Sequence, residues 1–195
     1  MPGEIPMSRL SLPTVDDAPE AAQAGLELVV SKNGFLPNLF RLLANSPVAL
    51  EAYHMLAAIT ARGNFSIGER EAIQITAAAA QGCGICVAGH TALAYRKAGL
   101  AEHIVDALRD RKPVADERLN AIANFTRAVI RSLGNVTDEE LRDFYSAGFS
   151  ESDVIELILG ISLATLCNFT SNLGHPSLNP ELAPYAWKSA VNTNE

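Results

Sequence analysis

The chain has only three cysteines in 195 residues, too few for the disulfide framework that staples small secreted domains. It also lacks basic clusters. Net charge is −7, and the one local gathering of cations, Arg109 to Lys112, is interrupted by Asp110. Nucleic acid is therefore excluded as a partner, because binding phosphate backbones requires clustered Lys and Arg. No segment alternates apolar and polar residues with the period of a half-buried strand. No long uncharged apolar run is present either. The most apolar stretch, Val154 to Cys167, contains Glu156 and is too short to cross a bilayer, so it reads as a buried helix and no membrane partner is expected. Met1 to Ser8 has no apolar core of a secretory signal, which gives a cytoplasmic chain as the expectation.

What remains is an ordinary globular composition, 48% hydrophobic and 19% charged, patterned for helices. Residues 1–15 are Pro-rich and polar and read as an extended arm, ordered by a partner subunit. Residues 16–195 read as one helical domain. Its catalytic core lies at about 46–100, its C-terminal helices at 114–174, and an irregular, Pro-containing tail at 175–195. Asp16 and Asp17 offer an N-cap for a helix over Ala18 to Ser31, which Asn33-Gly34 ends. Pro37 to Asn45 reads as a short helix. Ser46-Pro47 starts the next, which runs to about Arg62. Ser66-Ile-Gly-Glu69 and Thr137-Asp-Glu-Glu140 are capping boxes. The first opens a helix through four consecutive alanines to Gly82, and the second a helix to about Ala147. Further helices are expected from Cys83 to Gly99, Leu100 to Asp110, Asp116 to Leu133 and Ser150 to Gly174. The fold class is all-α, with about eight to nine helices. Phe65-Ser66 and Phe149-Ser150 each open a helix, with Cys83 and Cys167 following at equal distance, which hints at a duplicated helical hairpin.

The reactive chemistry is concentrated between Glu71 and His90. On a helix, Cys83, Cys86 and His90 fall within an arc of roughly 60°, and His90 stands one turn beyond Cys86. Cys83 and Cys86 are close enough to form a disulfide across one turn. If the chain folds back at Gln81-Gly82, Glu71 and His90 each lie roughly 12–15 Å from the bend and come level. The carboxylate would then polarise the imidazole, the imidazole would take a proton from Cys86, and Cys83 would attack whatever forms on Cys86. Both thiols lie in a first helical turn, where free N–H groups and the macrodipole favour a thiolate. A thiolate cleaves a peroxide O–O bond to give a sulfenic acid, which a neighbouring thiol converts to a disulfide.

A glutamate, eleven intervening residues, CxxC, three more residues and a histidine resemble the signature of the AhpD-like alkylhydroperoxidases, within the wider carboxymuconolactone decarboxylase superfamily. Here the matching residues are Glu71, Cys83-Gly-Ile-Cys86 and His90, and Asn33-Gly-Phe-Leu-Pro-Asn38 is similar to the lead-in of peroxidase-related members. The resemblance spans about Ser46 to Leu100. It implies an AhpD-like helical fold and a peroxidase that reduces hydroperoxides. Cys86 is then the peroxidatic cysteine, Cys83 the proton donor and resolving cysteine, and Glu71 and His90 the proton relay, with Cys83 and Cys86 as the redox-active disulfide. It further implies a protein dithiol or lipoyl group as reductant, no metal or haem cofactor, and a homo-oligomer (dimer, trimer or hexamer). The family often carries a histidine just before the second cysteine, where this chain has Ile85.

Competing readings are a decarboxylase-like acid–base enzyme of the same superfamily and a non-enzymatic redox sensor. Zinc would draw on Cys83, Cys86 and His90, but a structural site takes a fourth ligand, and neither a second CxxC nor an HxxxH supplies it. Cys167 reads as a core residue, Glu69 as the capping-box glutamate, and His54 and His103 as surface or satisfied residues. Trp187 reads as an anchor for the tail. His175 follows a helix end, where a cation suits the dipole, with lining of the active site as its minority reading.

Overall fold

A computed structural model describes residues 8–188, so the first seven residues of the arm and the last seven of the tail lie outside the description. Among the described residues there are nine α-helices and no strand. They are α1 (Glu20–Asn33), α2 (Asn38–Leu43), α3 (Pro47–Thr60), α4 (Ile67–Ala80), α5 (Gly84–Leu93), α6 (Glu102–Arg109), α7 (Glu117–Ser132), α8 (Asp138–Ser146) and α9 (Glu151–Gly174). A π-helical turn, Ala94–Ala98, continues α5, and a 3-10 helix, Pro180–Tyr185, crosses the tail.

The centre of the fold is α4, where every residue from Glu71 to Ala79 is buried. Small side chains make this possible. Alanines 77–79 leave its surface almost flat, and Gly160 on α9 comes so close that a Cβ there would sit 3.2 Å from Ile73. One side of α4 packs on α6 and α7, and α8 packs on α7, around Val105, Leu108, Ile122 and a stack of Phe125, Phe144 and Phe149, with centroids 4.4 and 4.2 Å apart. A second cluster joins α1, α2 and α3 through Leu26, Val29, Phe40 and Leu50.

Capping follows the sequence closely. The boxes at Ser66/Glu69 and Thr137/Glu140 are both closed, and Ser150/Asp153 forms a third. Glu69 also accepts Arg118 Nε at 2.5 Å, while that guanidinium lies over the Phe149 ring. Burial raises the Glu69 pKa, but the hydrogen bonds from Ser66 and Arg118 outweigh it and hold the carboxyl below its ordinary value. Its role is structural, at a helix start.

Four local readings are revised. Helix α1 begins at Glu20, not Ala18: Pro19 occupies the N-cap with an extended backbone, and no side chain caps it. The arm residues 8–15 are held by their own chain, with Ser8 Oγ and Arg9 N donating to Gly174 O and Arg41 to the carbonyls of Leu12 and Pro13. The tail is not wholly irregular, since Pro180 to Tyr185 winds about two turns of 3-10 helix. The hairpin echo also fails in its second copy. Residues 65–98 bend at Gln81-Gly82, whereas 151–174 form one helix, because Thr165-Leu166 stand where the bend would be. Gly82 adopts φ +71°, a left-handed conformation that Leu166 would enter only at a cost. The two helix openings do meet in space, with the Phe65 and Phe149 rings 5.9 Å apart.

With 24 residues, α9 is long and apolar enough to cross a membrane by length and composition. In this fold it packs against α2, α3, α4 and α5 and buries Asp153, Asn168 and Ser171. Its outer face and that of α3 carry an exposed apolar stripe, Val48, Met55 and Ile59 beside Ile155, Ile158, Phe169 and Leu173.

Gly82→Ala forces a Cβ into the left-handed region at the bend. The substitution is expected to cost about 1–2 kcal/mol, read as a lower urea midpoint with an unchanged m-value in the reduced protein.

Candidate functional site: a sealed dithiol beside a carboxylate–imidazole pair

The bend between α4 and α5 is held by polar groups from α9. Gln81 Nε2 donates to Thr165 Oγ1 at 2.9 Å, Asn168 Nδ2 donates to Gln81 Oε1 at 2.7 Å, and Asn172 Nδ2 donates to the Gln81 carbonyl at 2.8 Å. Arg111 donates to the Ala79 carbonyl from the other side. These contacts satisfy groups at the C-terminal end of α4 and fix where the next helix starts.

Cys83 is the N-cap of α5, its sulfur accepting the Cys86 N–H at 3.3 Å. Cys86 stands three residues on, with a Cα–Cα separation of 5.3 Å, and the two sulfurs are joined as a disulfide. Both are nearly inaccessible, at 1% and 4% exposure, which closes them to a substrate in this state. Their surroundings are Ala78, Ala79, Val87, Leu163 and Cys167, with Tyr53, Ile85 and Trp187 at the edge. The hydroxyl of Ser171 lies 3.7 Å from Cys86 Sγ. Trp187 closes the far side, and its carbonyl would lie only 3.1 Å from a Cβ on Gly84.

Further along the hairpin, His90 Nδ1 meets Glu71 Oε2 at 2.8 Å. An ionised carboxylate only accepts, so Nδ1 carries the proton of this hydrogen bond, and in the neutral imidazole Nε2 is the nitrogen that keeps a lone pair. His90 is half-buried and Glu71 buried, so this pair is better shielded from water than a surface ion pair. Among the described residues, His90 makes no hydrogen bond to either sulfur in the disulfide form.

Glu71 and His90 open onto a cavity of about 660 Å³ between α3, α4, α5 and α9. Neither Cys83 nor Cys86 lines it, but Cys167 and Tyr53 do, and both also belong to the cluster around the disulfide. Cys167 therefore stands between the cavity and the dithiol. Burial pushes its thiol up to about 12, so it is a neutral, unreactive sulfur at physiological pH. Burial foremost, with the nearby Cys167 and Glu71 adding to it, raises the Tyr53 phenol, which stays protonated throughout the physiological range.

Sequence reasoning missed Tyr53, Gln81, Asn168 and Ser171. Tyr53 sits in an apolar stripe of α3, and the other three signal nothing until α9 is laid along α4. The remaining histidines fall outside the site. His54 Nε2 is 3.1 Å from the Gly25 carbonyl, His103 is exposed, and His175 caps α9 in a left-handed conformation without lining the cavity. Among the described residues, no three His, Cys, Asp or Glu side chains are grouped to hold a metal ion.

Residues 48–128 match the carboxymuconolactone decarboxylase family. The match covers the helices that carry Glu71, Cys83, Cys86 and His90. The fold of the chain is AhpD-like. A peroxidase-related protein from Ralstonia eutropha JMP134, described as an alkylhydroperoxidase AhpD core, superposes with a TM-score of 0.81 at 24% identity, covering 92% of this chain and 96% of that one. A peroxidase-related protein from Silicibacter sp. TM1040 gives 0.75 at 20% identity, with coverages of 93% and 96%. The debrominase Bmp8, in complex with 2,3,4-tribromopyrrole, gives 0.75 at 19% identity, with coverages of 91% and 97%. No curated protein matches the chain in sequence. The same fold is thus shared by proteins named for different chemistries, a peroxidase-related protein and a debrominase.

The raised Cys167 pKa has a testable sign. The unfolded chain ionises this thiol near pH 9 and the native chain only near 12, so stability is complete below pH 9 and is lost as pH rises between the two. Cys167→Ala is expected to flatten that alkaline loss in urea unfolding of the reduced protein. In the folded, reduced protein near pH 8, iodoacetamide is expected to modify Cys83 or Cys86 and to spare Cys167, as located by peptide mass spectrometry.

Proposed function

We propose that the protein is a thiol-dependent peroxidase that reduces hydroperoxides through a Cys83–Cys86 dithiol/disulfide cycle. One observation carries the reading: a disulfide at a helix start, on the same hairpin as a 2.8 Å carboxylate–imidazole pair. In the reduced protein His90, oriented by Glu71, takes the proton of Cys86. The Cys86 thiolate attacks the O–O bond, releasing an alcohol and leaving a sulfenic acid. Cys83 attacks that sulfur, water departs, and the disulfide forms. A protein dithiol or lipoyl-type group then returns two electrons and two protons. Ile85 packs into the apolar cluster where relatives often carry a further proton donor, which leaves His90 as the nearest imidazole.

A cytoplasmic setting and a homo-oligomer belong to the same reading. The apolar stripe on α3 and α9 supports the latter, because a second copy would remove it from water.

One observation favours the acid–base alternative: the cavity wall carries Glu71 and His90 but neither cysteine of the pair. A decarboxylase-like enzyme would need the first two and not the sulfurs, so cysteine substitutions separate the readings.

Reduced protein given one equivalent of cumene hydroperoxide is expected to lose two thiols and to show a Cys83–Cys86 bond by mass spectrometry. Cys86→Ser should abolish peroxide consumption; unchanged consumption would refute the assignment. Glu71→Gln should slow the thiol loss about 10²-fold, the usual worth of a positioned acid–base group. Disulfide formation without steady-state turnover on any dithiol reductant would reduce the protein to a redox sensor.

A further inference from the structure

The cavity beside His90 has a direction. Helices α3 and α9 run antiparallel along it, since Tyr53 and Cys167 mark one end and Gly63 and Glu156 the other. Along α9 the two ends are eleven residues apart, a span of roughly 16 Å. The inner end abuts the cysteine cluster. Along α5, His90 lies one turn out from Cys86, and Lys97 lies seven residues further, at the outer end.

The walls between are apolar, built from Ala57, Phe65, Ile73, Leu159 and Leu163. The ends differ in charge. Arg62, Arg70 and Lys97 all line the cavity, and Arg62 and Lys97 are exposed at its mouth without an ion-pair partner among the described residues. Of the two carboxylates of the wall, Glu71 faces His90, and Glu156, which accepts the Asn64 backbone N–H at 2.6 Å, offsets one of the three cations. A chain of net charge −7 thus presents a locally cationic mouth to an apolar cavity.

From this arrangement we infer that the cavity binds a medium-length apolar molecule with an anionic head. The head sits at Arg62 and Lys97, and the opposite end reaches Tyr53 and His90. Resting on the peroxidase reading, the substrate class is a hydroperoxide of an apolar carboxylic acid, with the peroxide towards the inner end. Its reduction balances as one hydroperoxide and two thiols giving one alcohol, one water and the Cys83–Cys86 disulfide. Apolar burial supplies the affinity and the two cations supply the orientation. A neutral alkyl peroxide would have the first without the second.

Octanoate, 1-octanol and octylammonium test this by isothermal titration calorimetry at low salt, because none of them has an O–O bond. Octanoate is expected to bind about tenfold more tightly than octanol and octylammonium more weakly than either, with the octanoate advantage shrinking at high salt. Arg62→Gln/Lys97→Gln, at two exposed positions that leave the core untouched, should weaken octanoate about fivefold and leave octanol unchanged. Octanol binding as tightly as octanoate, or a double variant with unaltered octanoate affinity, would overturn the inference. The binding readout is independent of the thiols. A protein that prefers octanoate yet loses no thiols to hydroperoxide keeps the site and refutes the peroxidase, while one that consumes peroxide with no head-group preference does the reverse.

Discussion

Everything at the site depends on how the chain turns between α4 and α5. A helix that has just passed through four alanines would continue if nothing stopped it, since alanine is the best helix former. Gly82 stops it by entering the left-handed region, and Gln81 is gripped on three atoms by Thr165, Asn168 and Asn172 of α9. The bend therefore has one geometry. That geometry makes Cys83 an N-cap, brings Cys86 within a disulfide of it, and returns the chain so that His90 meets Glu71. Each of these is a consequence of a single anchored turn, and α9 is the anchor.

The same helix divides the site. Its Leu163, Cys167 and Ser171 wall off the sulfurs, while Glu156, Leu159 and Gly160 line the cavity that receives His90. The imidazole pair and the dithiol are thus neighbours along α5 but face different surroundings, one a cavity with access to solvent and the other a dry apolar cluster. A dry cluster suits a disulfide, which is neutral. It suits a thiolate poorly, because burial disfavours charge. Opening the S–S bond consequently changes the electrostatic demands of the site as well as its covalent structure.

Much of this was legible beforehand. The helices announced themselves through capping boxes, Ser46-Pro47 and the glycines at 34, 82, 99 and 134, because these signals are local and chemical. The level placement of Glu71 and His90 followed from helix rise alone. What the sequence could not disclose were contacts with no local signature. Tyr53 looks like any apolar-stripe residue, and Asn168 and Ser171 like polar interruptions of an apolar helix. Their meaning comes from a partner some 85 residues away. The echo between Phe65-Ser66 and Phe149-Ser150 misled for the complementary reason. It captured the helix starts, which are local, and missed that Leu166 would make the Gly82 turn only at a steric cost. The described part of the N-terminal arm, read as ordered by a partner subunit, finds hydrogen bonds on Gly174 and Arg41 of its own chain.

Trp187 lies about a hundred residues beyond Cys86, yet it closes the cysteine cluster over Gly84. The cover is therefore made well after the cysteines it encloses. At a synthesis rate of about 5–20 residues per second, the two cysteines spend several seconds outside the ribosome before α9 and the tail exist to enclose them. During that interval they are ordinary accessible thiols on a nascent hairpin. The sealing of the pair is acquired only when a segment a hundred residues downstream folds back over it.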